Sequence, residues 1–510
     1  VGGLTVNSGG TVSPGNSIGL LTVSGNLVQN AGSFYLVEAN AQGQADRINV
    51  GGTATLNGGT VQVQAAPGNY GPSTTYTILR ASGGVSGTYS GVTSNFAFLT
   101  PSLSYDANDV YLTLAMAQSG FLIAGLTPNQ QAVAGVLNAT FANASGDFAT
   151  VFGALEGLSS AQAPAILDAI SGQQWADFGT MNVNNAALFM NTLGQQMANA
   201  RGTAASNAGQ RAALAQACDI EACDAAAPGP WGTWASAIGG LGNVAGTSNS
   251  GGLSYNFGGG AAGIDYRFDP RAVVGIGAGY TSGNMWVNSF SGQGFSNSVS
   301  VATYGSFTQW GFYLDALAGY ANYSNWLNRS IIIPGLSPRV ATGSTTANQV
   351  LGQAEAGYKL DVYAPAQASV TPFALFQGSS VTQNAFNEGG ANSLSLSVQS
   401  QTTASLRTIF GADLAGSIGL GNARSLDLDF RLGWQHEYAN TQRPITSSFA
   451  GAPGYAFTVY GATPASDAAV VGFSAKSQVA DNAQLYLRYD GQIGTGTDNH
   501  ALNVGVRFTW

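Results

Sequence analysis

Three stretches of this sequence carry residue types that could do chemistry. Gly15-Asn16-Ser17-Ile18-Gly19 has the G-x-S-x-G form of a nucleophile elbow, a strained turn that presents a serine oxygen. Such a serine needs a histidine base, and the only histidines are His436 and His500, far along the chain. The five residues read instead as a turn between strands. Gly258-Gly259-Gly260-Ala261-Ala262-Gly263 has the form G-x-G-x-x-G, but a dinucleotide site needs a helix after the glycines. Ile264-Asp265-Tyr266 continues as a strand. Cys218 and Cys223 are the only cysteines, and their spacing admits a local disulfide in an oxidising compartment or two unpaired thiols. With no histidine or further cysteine nearby the pair makes a poor metal site. The reading is of no enzyme, no metal and no cofactor.

The larger set of chemical groups is ionic and spread over the second half: Asp265, Arg267, Glu355, Lys359, Arg407, Asp413, Asp427, Asp429, Arg431, Arg488, Asp490 and Arg507. They read as charges that line a pore, pair across it and hold a plug, with porin-like selectivity as the functional alternative. What must position them is a set of period-two strands. Leu426, Leu428, Phe430, Leu432 and Trp434 alternate with Asp427, Asp429, Arg431 and Gln435. Ile264, Tyr266 and Phe268 oppose Asp265 and Arg267; Ala354, Ala356, Tyr358 and Leu360 oppose Gln353, Glu355 and Lys359. Leu485, Leu487 and Tyr489 oppose Gln484, Arg488 and Asp490. The last strand places Leu502, Val504, Val506, Phe508 and Trp510 on one face and stops on the aromatic. Twelve such candidates start near Trp231, Leu253, Val273, Ser298, Phe312, Val350, Val370, Ser405, Ser425, Ala468, Ala483 and Ala501. A buried sandwich face does not tolerate so many charges; a lipid-embedded barrel with a polar lumen requires them.

Composition agrees. Of 510 residues, 8% are charged and 71 are glycine, and the only lysines are Lys359 and Lys476. So little charge does not suit a surface wholly in water. No run of about 18 apolar residues exists for a membrane helix, which leaves closed barrels as the spanning geometry. The net charge of −9 gives nucleic acid nothing to bind. Val1-Gly2-Gly3, without a leader-like start, is read as the start of a fragment.

Three segments follow. Residues 1–118 are short strands cut by turns such as Gly51-Gly52 and Asn57-Gly58-Gly59, quasi-repetitive as in a parallel β-solenoid, with a sandwich as the alternative. Thr75–Leu79 and Asp109–Leu114 are richer in aromatics and could cap its end. Residues 119–228 change to helical period, with Thr127-Pro128 as a helix start and a final Ala/Asn/Gln/Met helix suited to a polar pore. Residues 229–510 form the twelve-stranded antiparallel barrel, whose lumen takes one helix. Wall glycines Gly263, Gly357, Gly411 and Gly433 are expected to let that helix approach.

This order of segments resembles the monomeric autotransporters (type V secretion) of Gram-negative bacteria. Gly9–Gly19 and Ala45–Gly52 resemble the family's passenger-associated repeat, Trp231-Gly232-Thr233-Trp234-Ala235 its first barrel strand, and Phe508-Thr509-Trp510 its assembly signal. The resemblance implies an outer-membrane translocator that exports its own N-terminal passenger, with residues 1–118 exposed at the cell surface. It implies outer-membrane lipid, the barrel-assembly machinery and periplasmic chaperones as partners, and a monomer. It implies that residues 65–118 nucleate passenger folding and that the helix ending near residue 200 stays as a plug. Some members cut themselves between two asparagines on the pore helix. The matching pair is Asn184-Asn185, flanked by Asn182 and Ala186 where the family pattern carries Glu and Leu. Asp427, Asp429, Glu355 and Asp413 are the candidate acids, and amides bonded to the wall are the plain alternative. An adhesin stalk, an enzyme passenger and a simple pore are the competing readings.

Overall fold

The computed structural model describes residues 1–510 except 69, 218–228, 422–423 and 481. Cys218 and Cys223 lie outside the described residues.

The first segment is a three-faced parallel solenoid. One face stacks Leu4–Val6, Leu27–Asn30, Ala54–Asn57 and Val85–Thr88. The second stacks Thr11–Val12, Phe34–Ala39, Thr60–Ala65 and Gly91–Ser94. The third stacks Leu20–Val23, Arg47–Val50 and Ser73–Ala81. Alternate side chains point inward, so Val23, Leu27, Tyr35, Val37, Ile48, Val61 and Ile78 form a dry core. The turns stack as well. Asn57 Nδ2 donates to Asn30 Oδ1 at 3.1 Å, and Asn30 Nδ2 to Asn7 Oδ1 at 2.9 Å. Gly58 and Gly59 both take positive φ, which is why glycines stand at that corner. Asp46, fully buried, accepts from the backbone N–H of Gly19 (2.7 Å) and of Glu38 (2.9 Å), tying successive turns together.

The third face ends differently. Asp109–Met116 and Leu99–Tyr105 add to it antiparallel. This reversal blunts the growing edge, which parallel rungs would leave open to further pairing.

Four helices follow among the described residues: α1 Pro128–Thr140, α2 Gly146–Glu156, α3 Ala163–Ser171 and α4 Gln174–Ala217. Thr127 caps α1, accepting from Gln130 N while Gln130 Oε1 accepts from Thr127 N, with Pro128 at the first helical position.

Twelve strands then close into an antiparallel barrel: Trp231–Val244, Leu253–Asp269, Ala272–Val287, Gly292–Gln309, Phe312–Ile331, Arg339–Tyr358, Ala368–Gln383, Gln401–Gly421, Arg424–Glu437, Asp467–Ala480, Ala483–Gly494 and Thr497–Thr509. They are called barrel strands 1 to 12 below. Strand 1 pairs with strand 12 from Gly232↔Thr509 to Val244↔Thr497, and Trp231 and Trp510 exchange backbone hydrogen bonds at 3.0 and 3.1 Å. Outward-facing residues are apolar and exposed, among them Ile264, Val274, Val301, Leu414, Leu432, Leu485 and Val504. Aromatics mark both rims, with Trp231, Phe312, Tyr358 and Trp510 at one end and Trp286, Trp326 and Tyr438 at the other. No helix among the described residues is long and apolar enough to cross a membrane.

Strands 4, 6 and 12 start at Gly292, Arg339 and Thr497, earlier than the sequence pattern places them. Their extra residues, such as Gly292-Gln293-Gly294 and Thr342–Thr346, are small or polar on both faces, so no alternation of apolar and polar types marks them. Two loops at that end form a further antiparallel sheet from Phe386–Asn387, Leu396–Val398, Pro444–Phe449 and Ala456–Tyr460.

Replacing Asp46 by alanine orphans the backbone N–H groups of Gly19 and Glu38, and is expected to cost about 2–3 kcal/mol of solenoid stability. Urea unfolding followed by far-ultraviolet circular dichroism measures it.

Candidate functional site in the barrel lumen

The lumen is filled by α4 from Gln174 to Arg201. One side of the helix is apolar and seats on glycines of strands 3 and 4. A β-carbon at Gly277 would stand 2.7 Å from Leu193, at Gly279 3.0 Å from the Phe189 ring, at Gly283 3.0 Å from Met181 and at Gly294 3.1 Å from Phe178. Gly277 and Gly279 set the approach of the helix, while at Gly283 and Gly294 a β-carbon would first strike the wall at Asn256 O and Met285. The four named from sequence do something else. Gly263 and Gly357 make room for the wall side chains Trp234 and Tyr313, and Gly411 and Gly433 for neighbouring strand backbone and Ile409. Period-two parity shows which glycines face inward but not which of them the helix lies against.

Amides of the helix bond to the wall on several sides, between further buried apolar residues such as Val183, Leu188 and Met190. Asn184 Nδ2 donates to Tyr255 Oη at 2.6 Å, and Asn185 Nδ2 to Thr281 Oγ1 at 2.6 Å. Gln196 donates to Tyr486 Oη at 2.8 Å, and Gln377 on the wall donates to Asn191 Oδ1 at 3.0 Å. Tyr323 Oη donates to the carbonyl of Asn182 at 3.2 Å. Each bond replaces water that a buried amide would otherwise demand.

The ionic residues gather toward the end of the lumen that holds the chain terminus. Arg431 is held between Glu355 (2.9 and 3.0 Å) and Asp413 (2.7 and 2.8 Å), its guanidinium 4.0 Å from the Phe373 ring centroid. Tyr313 Oη donates to Glu355 at 2.6 Å. Arg201 of the helix pairs with Asp315 and lies over the Tyr313 ring at 4.0 Å. Arg507 forks onto Asp265, which also accepts from Tyr304 Oη at 2.9 Å. Arg488 pairs with Asp490 and donates to Gln195 of the helix at 2.8 Å. Arg267 donates to the carbonyl of Ala200. Asp427 accepts from Ser417 at 2.7 Å. Arg407 is buried and reaches Gln492 at 3.4 Å; Asp429 sits inside near Arg431 and Arg488. Forked, hydrogen-bonded pairs of this kind offset the desolvation that burial imposes.

Lys359 departs from the sequence reading. Strand 6 ends at Tyr358, so Lys359 falls in the following turn, half exposed, and pairs with Asp361 at 3.0 Å. Strand alternation stops where the strand stops. The sequence reading also missed Arg201, Asp315 and the luminal tyrosines Tyr255, Tyr304, Tyr313, Tyr323 and Tyr486. Asp315 is the only acid in strand 5, and tyrosine counts as apolar in a pattern although its hydroxyl can face a polar wall. Of the terminal residues, Leu502, Val504, Phe508 and Trp510 lie exposed on the outer face, while Val506 is partly covered.

Asn184-Asn185 lies within unbroken helix. Glu355 and Asp413 are committed to Arg431, and none of the four candidate acids hydrogen-bonds to either asparagine. Ser17 sits in a solenoid turn, and Gly258–Gly263 lies inside strand 2, where a β-carbon on Gly259 would strike Tyr280 O. No group of metal-ligating side chains occurs among the described residues.

Outside the membrane, α2 joins the solenoid to this assembly. Glu156, buried, accepts from the backbone N–H of Tyr70 at 2.9 Å, and Leu158 O accepts from Ala97 N at 2.7 Å. Burial pushes the Glu156 carboxyl up to about 7, with the Tyr70 bond pulling partly the other way.

A closed barrel with an apolar exterior and a polypeptide-filled lumen, preceded by a solenoid, defines an outer-membrane translocator class. The autotransporter beta-domain family model matches residues 233–490. Two extracellular serine proteases of Serratia marcescens are 25% and 24% identical, covering 100% and 97% of this chain and 50% and 49% of their own length. The chain thus spans about half the length of the curated relatives it matches. Among solved structures, the translocator domain of autotransporter NalP from Neisseria meningitidis aligns with TM-score 0.45 and 18% identity, over 61% of this chain and 97% of that one. The transport unit of AIDA-I from Escherichia coli aligns with TM-score 0.41 and 13% identity, over 57% and 93%. The chain belongs to the autotransporter beta-domain family. Its barrel sits in the bacterial outer membrane and is the translocator of an N-terminal passenger; the barrel itself is not catalytic.

Two outcomes follow. Gly279→Leu drives a side chain into Phe189 and should cost about 1–3 kcal/mol, read as a lower unfolding temperature in detergent. Glu156 binds its proton more tightly folded than unfolded, so its stabilising contribution is complete below about 4.5 and is lost as pH rises to about 7. Glu156→Gln should remove that dependence, roughly 3 kcal/mol across the window, in hydrogen exchange at Tyr70.

Proposed function

We propose that the chain exports its passenger as a hairpin through its own barrel and that folding outside drives the passage. The observation that carries this is the position of the cap. The antiparallel strands of 73–116 lie at the barrel end of the solenoid, next to α2, and parallel rungs stack away from them. Residues 65–118 emerge first, fold against the helices and template each later rung. Every rung buries apolar area worth roughly 25 cal/mol per Å2, which biases motion outward where no ATP is available. The last strand, with Phe508 and Trp510 outward, is the segment read by the barrel-assembly machinery, and periplasmic chaperones hold the chain before insertion. The barrel works as a monomer in outer-membrane lipid.

The charged wall holds the helix rather than selecting ions, since its arginines are mostly committed to carboxylates or to α4. Asn184 and Asn185 anchor the helix, and the chain stays uncut. The Serratia relatives are named as extracellular serine proteases. We infer that these 510 residues do not supply a peptidase centre, because His436 and His500 both stand on barrel strands.

Expression in a Gram-negative host tests this. External protease should remove residues 1–118 on intact cells, and before digestion a single full-length band is expected. Replacing both Phe508 and Trp510 by alanine should lower outer-membrane levels severalfold. Residues 1–118 protected in intact cells, with an assembled barrel, would overturn the export reading.

A further inference from the structure

The helix in the lumen is not the only helix that meets the barrel. At the mouth opposite the chain terminus, α1–α3 reach loops around the rim. Asn129 of α1 bonds to Asn249 after strand 1 (2.8 Å) and to Tyr460 after strand 9 (2.8 Å). Asp147 of α2 takes a fork from Arg339 at the start of strand 6 (2.7 and 2.9 Å) and accepts from Ser393 after strand 7. Gly335 after strand 5 lies near Ala154, and Phe290 after strand 3 packs on the same core. Beneath the helices lies the loop sheet, with Leu396, Val398, Ile445, Phe449 and Val459 buried in that core.

At the centre of this cover is a buried ion pair. Arg329 donates to Glu388 from Nε (2.7 Å) and Nη2 (2.6 Å), and both side chains are 0% exposed. Glu388 also accepts from Trp175 Nε1 at 2.6 Å and from Leu396 N at 2.9 Å, and Arg329 Nη1 donates to the carbonyl of Ala169 at 3.0 Å. The Trp175 ring stands 4.3 Å from Phe386, centroid to centroid. Thus one carboxylate binds strand 5, the loop after strand 7 and the first turn of α4, while the guanidinium holds the end of α3. A buried pair is stable only with every partner present; removing one leaves a charge that must draw in water. On the export reading, Ala169 and Trp175 reach these positions only after the passenger has left the mouth.

We propose that Glu388, Arg329 and Trp175 form a latch that shuts the extracellular mouth after export and excludes hydrophilic solutes without help from the helix below. The proposal rests on the export reading for its timing, but its closure does not depend on which passenger is carried.

The test uses the whole chain in planar bilayers, with residues 180–200 replaced by an equal length of alternating Gly and Ser. With the latch intact, conductance should stay near that of the native chain. Adding Arg329→Met should raise it about tenfold, because an unplugged twelve-strand lumen then opens at both ends. Arg329→Met with the native helix should conduct little. Equal conductance with and without the latch in the Gly/Ser chain would overturn the proposal. A heat-modifiable gel shift verifies that each barrel is folded.

A second measurement avoids the replaced helix. In a Cys218→Ser, Cys223→Ser background, Ala391→Cys sits fully buried in the loop after strand 7. An impermeant maleimide added to cells should leave it unlabelled, and Arg329→Met should expose it to labelling. Equal labelling in both backgrounds would overturn the latch even if residues 1–118 prove exported, and loss of surface exposure of residues 1–118 would strike the export reading instead.

Discussion

The structure depends on one constraint: in hydrocarbon, every backbone N–H and C=O must find its partner within the protein. The sheet meets it by closing on itself, strand 1 against strand 12 along their length, down to the mutual bonds of Trp231 and Trp510. Closure fixes the rest. Each strand then has an outer face that only apolar side chains tolerate and an inner face cut off from lipid. Trp510 is part of the seam through its backbone, and its ring stands exposed on the outer face.

An inner face of this kind has to be filled. The lumen solves it asymmetrically. Strands 3 and 4 offer glycines, against which Phe178, Met181, Phe189 and Leu193 pack closely. Elsewhere tyrosine hydroxyls and amides meet the asparagines and glutamines of α4. The charges sit where carboxylate and guanidinium can be forked together, as in Arg431 between Glu355 and Asp413. A helix bound by many modest polar contacts and close apolar packing is held firmly in the barrel.

Above the membrane the same packing continues without a break. A single hydrophobic cluster runs from Phe98 in the solenoid cap through α1–α3 to Met197 within the barrel. The passenger end, the helical cover and the plug therefore form one body. Glu156 is buried at the joint, where it accepts from the Tyr70 backbone N–H, and burial pushes its carboxyl up.

The sequence by itself determined whatever repeats with a period. Alternation in Leu426–Trp434 and Leu502–Trp510 showed the lipid-facing side, the twelve strands and the inward charges, because lipid on one side and a polar lumen on the other act on every second residue. Turn glycines and short strands disclosed the solenoid for the same reason. Where both faces carry small or polar residues, the pattern falls silent: strands 4, 6 and 12 begin unannounced, and Lys359 follows the alternation past the end of its strand. Only the tertiary structure decided which inward residues meet. The pairing of Arg201 with Asp315, the glycines beneath α4, and the contact of Arg329 with Glu388 and Trp175 join residues distant in sequence. Their meeting depends on how strands shear and where the helix lies in the cylinder, and periodicity carries no information about either.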